Sequence, residues 1–207
     1  VVFDVPLSHE PALRLVQLED AIREQTDALA VYYDPRGLRT EGGSPRLDVR
    51  RIPVHWPRGF FHPKNLFLLF EDAEEGAGGE KERYLLFATL SANLTRSGWW
   101  ENVEVCHAEV LREREKSSLK ADLLGLLRRV KAAAGEADHG ALEAVRRFVL
   151  TLENRALASS GGRLHPRLYA GPESVTDFLT SVCGRSLSGR NLEVVAPFVE
   201  AGSDGGP

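Results

Sequence analysis

The chain of 207 residues contains no methionine and only two cysteines, Cys106 and Cys183. Two thiols cannot build a disulfide framework, and they fall short of a cysteine-based zinc site. A reducing, cytoplasmic setting is therefore expected. No run approaches the roughly 20 apolar residues that span a bilayer, and none reads as a signal peptide, so no membrane association is expected. An excess of one charge is also missing, with 30 acidic residues against 26 Lys and Arg and a formal net charge of −4. That balance argues against a generic polyanion-coating protein. It leaves room for a local basic cleft, because binding depends on where the charges sit. There is no low-complexity tract and no repeat complete within these residues. The missing methionine, initiator included, and the stop at Gly205-Gly206-Pro207 predict that the chain is a piece of a longer protein.

What is present is ordinary for a globular protein: 43% hydrophobic and 27% charged residues, enough for one domain with a core, or one and a half. Ser8 is a plausible cap for a helix reaching about Arg23, with Leu15, Leu18 and Ile22 at helical spacing. Ala28 to Tyr33 reads as a buried strand closed by the turn signal Asp34-Pro35-Arg36-Gly37. Strands are also expected over Leu47 to Val54, Asn65 to Phe70, Tyr84 to Leu90 and Val103 to Leu111. The acidic, glycine-rich Glu71 to Glu82 between the third and fourth reads as a solvated hairpin excursion rather than a metal site.

From Ser118 the hydrophobic period changes. Leu119, Leu123, Leu126, Leu127 and Val130 predict a helix ended by Gly135, and Asp138 is the expected cap of a second. A linker-like break follows at Ser159 to Gly162, then a short helix around Val175 to Val182 and a strand over Leu192 to Val199. Arg128, Arg129 and Lys131 read as the wet side of a helix. His9 and His139 carry no signal beyond helix starts.

The chemistry-bearing residues cluster. His62-Pro63-Lys64 opens one expected strand, and Ser91-Ala92-Asn93 closes its hairpin partner. Period-two alternation would put His62 and Lys64 on one face, and the returning strand would bring Ser91 and Asn93 to the same end. An imidazole, an ammonium, a hydroxyl and a carboxamide suit phosphoryl chemistry. The imidazole can attack phosphorus, while Lys and Asn donate to non-bridging oxygens whose charge grows in the transition state.

His62-x-Lys64 followed by Ser91-x-Asn93-Leu94-Thr95-x-x-Gly98-Trp99 resembles the HxK…GSxN signature of the phospholipase D superfamily. The likeness is greatest to its tyrosyl-DNA phosphodiesterase and nuclease branches, and it is strong over about Phe60 to Val105. Those branches lack the Asp that many lipases carry five residues after the Lys, and Leu69 stands there. The resemblance implies an α/β fold, a phospholipase D-type sandwich with a mixed sheet flanked by helices. Residues 1–157 would form a first catalytic lobe, and 158–207 a crossover and the beginning of a second. It implies His62, Lys64, Asn93 and Glu104 as catalytic residues, with Glu104 on the following strand orienting His62. Ser91, Trp99 and His55 would bind substrate. Trp99 and Trp100 could stack on a base or plug a turn, and His107, on the opposite face from Glu104, reads as structural.

The implied activity is a metal-independent phosphodiesterase acting through a phosphohistidine, without cofactor, on DNA as nuclease or end-processing enzyme. A lipid phosphodiesterase and a non-catalytic lobe that binds nucleic acid or a partner are the alternatives. The superfamily builds its site from two motifs, and this chain shows one. His165-Pro166-Arg167 with Asn191 is the nearest internal substitute, with Arg in place of Lys. The second half is therefore expected past Pro207 in a longer chain, or from the mate in a homodimer.

Overall fold

The computed structural model describes residues 28–37, 50–57, 59–72, 81–93, 103–155, 165–184, 189 and 191, with the helical positions Gln17, Asp20 and Glu24. The architecture is mixed α/β. Among the described residues there are seven strands in three sheets and three bounded helices, with no barrel. The chain divides into two compact units, Val1–His62 with Leu127–Ala144, and Pro63–Leu126 with Val145–Pro207.

In the first unit, β1 (Ala30–Tyr33) lies parallel to β2 (Arg50–Pro53), with Ala30 opposite Arg50 and Tyr33 opposite Pro53. Val and the two Tyr of β1 favour the pleated backbone. Its residues are half-buried rather than fully buried. Pro53 has no N–H to give, which suits the end of a strand, and Val54 N takes over by donating to Tyr33 O at 2.8 Å. Asp34 to Gly37 turn as expected, through a 3-10 turn with Gly37 N donating to Asp34 O. The core is built from Ile52, Val54 and Phe61 with Leu127, Val130 and Leu142 from the helical stretches.

Helix α1 (Lys120–Ala134) stops where Gly135 takes φ +67°, a left-handed conformation that glycine adopts without strain. His55 N donates to Ala133 O, satisfying one of the carbonyls left over at that end. Helix α2 (Gly140–Thr151) begins after Asp138, whose carboxylate accepts from Gly140 N at 2.9 Å and pairs with Arg50. His139 does more than start a helix. It is buried, its Nε2 lies 3.0 Å from Gly135 O, and its Nδ1 lies 2.9 Å from the Tyr32 hydroxyl. A carbonyl only accepts, so Nε2 carries the proton and Nδ1 receives the one from Tyr32. Burial, with help from the charge of Asp138, pushes the Tyr32 phenol up to about 12, so it stays a donor.

In the second unit, β3 (Asn65–Glu71), β4 (Arg83–Leu90) and β5 (Cys106–Arg112) form an antiparallel sheet with β4 central. Leu85, Phe87 and Leu111 share one face of the sheet and are buried, as are Leu119, Leu123, Val145, Phe148 and Val149 from in and around the helices. On the other face Leu68, Phe70 and Val110 remain exposed. The short β6 (Lys116–Ser117) and β7 (Glu153–Asn154) pair in parallel, and Lys120 Nζ donates to Leu150 O and Leu152 O at the end of α2. Helix α3 (Val175–Cys183) is capped by Ser174, whose hydroxyl accepts from Asp177 N.

The fifth strand starts at Cys106, not Val103, so Glu104 precedes it rather than sitting on it. The expected helix over 8–23 lies outside the described residues, apart from Gln17 and Asp20, which are helical. Also outside are the break at 159–162, the lobe boundary at 157–158, the strand over 192–199 and the tip of the acidic excursion, 73–80. No helix among the described residues is long and apolar enough to cross a membrane.

Replacing Tyr32 by Phe leaves a buried ring nitrogen of His139 without its donor. The expected loss is about 1–3 kcal/mol of stability, read as a lower denaturant midpoint at unchanged slope. A midpoint equal to wild type is the contrary result.

Candidate active site

Lys64 stands one residue before β3, yet it is tied into the sheet. Leu90 N donates to Lys64 O at 2.8 Å, continuing the β3–β4 register by one position. Ser91 is fixed in the same way, its N donating to Val105 O at 2.9 Å beyond the Leu90–Cys106 pair. The side chain of Ser91 then closes a small ring. Its hydroxyl donates to the carboxylate of Glu104 and accepts from Val105 N at 2.8 Å. The antiparallel ladder thus brings Lys64, Ser91 and Glu104 to one end of the sheet.

Electrostatics tie Lys64 to Glu104. Burial pulls the Lys64 ammonium below the ordinary lysine range, and the charge of Glu104 acts in the opposite direction. A charge deprived of water loses stability in its ionised form, and a neighbouring opposite charge restores part of it. Ser91 holds one oxygen of Glu104. A carboxylate offers about four acceptor positions, so this bond does not exhaust it.

Asn93 lies two residues past Ser91 with its side chain exposed, separated by the inward-turned Ala92. His62 is exposed and closes the first compact unit, while Lys64 belongs to the second. The strand begins at Asn65, so the period-two argument that paired His62 with Lys64 does not reach His62. His55 is also exposed, in the first unit. Trp99, Trp100 and Gly98 lie outside the described residues. His107 is exposed on β5, 3.0 Å from Glu109.

The substitute second motif has another occupation. Arg167 grips Asp122 through Nε at 2.8 Å and a terminal nitrogen at 3.1 Å, and Leu168 N donates to the same carboxylate. Pro166 O accepts the Ser118 hydroxyl. Arg167 therefore fastens the segment before α3 to α1. Among the described residues, no group of three or more His, Cys, Asp or Glu is arranged to hold a metal ion.

Two residues that the sequence marked only as a turn, Asp34 and Arg36, prove to be a densely connected polar pair of the first unit. Arg36 N donates to Asp34 Oδ1 at 2.9 Å, the local Asx-turn bond that the Asp-Pro-Arg-Gly pattern could have signalled. Their contacts with Gly59, Phe60 and Phe61, more than twenty residues on, have no sequence signature.

Glu104→Gln removes the charge that opposes the desolvation of Lys64. The Lys64 ammonium is then expected to titrate at lower pH than in wild type, read from its side-chain NMR resonances across an alkaline titration. A midpoint that stays put or rises would show that Glu104 does not support that charge.

The chain matches no protein-family model, no curated protein and no solved structure.

Proposed function

We propose that the chain is a catalytic half of a phospholipase D-type phosphodiesterase, an α/β sandwich lobe that acts on DNA in a reducing cytoplasm. The observation that carries this reading is the grouping of Lys64, Ser91 and Glu104 at one end of an antiparallel hairpin, in the spacing of the HxK…SxN motif. In the proposed reaction a ring nitrogen of His62 forms a bond to phosphorus while the bond to the leaving oxygen breaks. That oxygen takes a proton from a second imidazole, supplied by a longer chain or a homodimer mate. Water then attacks the phosphohistidine, gives its proton to the same imidazole, and the nitrogen–phosphorus electron pair returns to His62. Lys64 and Asn93 donate to the non-bridging oxygens, and the developing charge there is what they stabilise. Imidazole suits both proton roles because its ordinary pKa lies near neutrality.

Cleavage of labelled single-stranded DNA or an activated phosphodiester should persist in excess EDTA, since imidazoles and a lysine take the place of a Lewis acid. Loss of all activity that magnesium or manganese restores would refute this chemistry. His62→Ala should lower turnover by several orders of magnitude, on the order of the loss from deleting a catalytic nucleophile, with an unchanged melting transition. Near wild-type turnover in that variant would favour a lobe that only binds nucleic acid or a partner.

A further inference from the structure

The residues just before His62 are held in an unusual way. Gly59, Phe60 and Phe61 form neither helix nor strand, and a segment of that kind must find its hydrogen bonds elsewhere. All three are gripped by one ion pair. Phe61 N donates to Asp34 Oδ2 at 2.8 Å, a terminal nitrogen of Arg36 donates to Gly59 O at 2.6 Å, and the Arg36 guanidinium carbon lies 4.7 Å from the Phe60 ring centroid. The pair itself is joined by three hydrogen bonds. Asp34 Oδ1 accepts from Arg36 N and Arg36 Nε, both at 2.9 Å, and Oδ2 accepts from the Arg36 terminal nitrogen at 2.7 Å.

Counting Phe61 N, four N–H groups converge on one buried carboxylate, whose acceptor capacity is about four. The Arg36 guanidinium and these backbone donors hold the Asp34 carboxyl well below the usual carboxylate range, so it is charged and saturated. Below the segment, the buried Phe61 ring packs against Trp56 at 5.5 Å. Gly59 sits at φ +69°, the conformation that lets the chain turn into the clamp. On the other side of His62, Pro63 restricts His62 itself to extended backbone.

We propose that Asp34, acting with Arg36, is a positioning residue for His62: the clamp fixes the backbone that presents the nucleophile. The inference rests on the reading of His62 as nucleophile. The clamp gives the exposed His62 a fixed backbone, and with it a defined direction of attack. Misplacing a reacting group by about 1 Å can cost on the order of 100-fold in rate, and sites carried on loops depend on the groups that support them.

The clamp can be tested with and without turnover. In the wild type, Phe61 N–H should exchange with solvent as slowly as the amides of β1, and exchange at the rate of an open loop would overturn the proposal. Asp34→Asn should lower kcat by about 10–100-fold with KM within about twofold, because substrate contacts are untouched while the nucleophile wanders. In parallel the His62 imidazole resonance, identified by its absence in His62→Gln, should broaden or split. Arg36→Gln keeps the Asp34 bond to Phe61 N but frees Gly59 and Phe60, and its half-exposed position suits a folded control. It should show the same pattern more weakly, and it carries the test if Asp34→Asn does not fold. A folded variant with wild-type kcat and an unchanged His62 resonance would sink the idea, as would a loss confined to KM. If the wild type cleaves no phosphodiester, the nucleophile assignment fails, while amide exchange and the His62 resonance still report whether the clamp positions the side chain.

Discussion

In the second unit the hydrogen-bond ladder of β3, β4 and β5 continues one residue past the strands, through Leu90 N to Lys64 O and Ser91 N to Val105 O. Those two bonds extend the register set by Leu85, Phe87 and Leu111, which are almost wholly buried. A slip of one residue would turn every one of these side chains to the opposite face. The apolar core therefore fixes the register, and the register fixes where the backbones of Lys64, Ser91 and Val105 stand. Glu104 then reaches Ser91 because its neighbour Val105 is already paired. The chemistry at this end of the sheet inherits its placement from packing at the middle of it.

Beyond the strands, irregular segments are held by carboxylates. Asp34 collects Arg36 and Phe61 N in the first unit, and Asp122 collects Arg167 and Leu168 N in the second. A partly buried ion pair adds little net stability, because desolvation offsets much of the attraction. Its geometry is demanding, however, and a satisfied polar network admits one arrangement of its members. In both places the carboxylate also accepts a backbone N–H that has no ladder partner. Charge is used here to specify the path of the chain where no sheet or helix does so.

The elements were largely legible because hydrophobic period follows burial. Leu119 to Val130 at helical spacing and the apolar runs over 65–70 and 84–90 became α1, β3 and β4 with shifts of a residue or so. The ends were less legible. Lys64 and Ser91 join the sheet through single backbone bonds, and Glu104 through its side chain to Ser91, none of which carries a periodic pattern, so the sequence placed Glu104 on a strand that begins two residues later. His139 was invisible because its partners, Tyr32 and Gly135, are a distant side chain and a backbone carbonyl. The Asp34 clamp was half visible. Its local turn follows from residue type, whereas its hold on Gly59 to Phe61 depends on tertiary placement.

The bonds of Ser91 decide how it can serve an anion. A hydroxyl has one proton, and Ser91 gives it to Glu104 while accepting from Val105 N. It could donate to a phosphate oxygen only by releasing Glu104, which would set that carboxylate loose near the incoming negative charge. In the proposed reaction, Ser91 with these bonds intact would act on the anion through Glu104 rather than by contact. By fixing the carboxylate it fixes the distance over which Glu104 offsets the desolvation of Lys64. Less support would move the half-buried Lys64 ammonium further below the ordinary lysine range. In the proposed reaction, direct contact with the non-bridging oxygens falls to the Lys64 ammonium and the exposed Asn93 carboxamide.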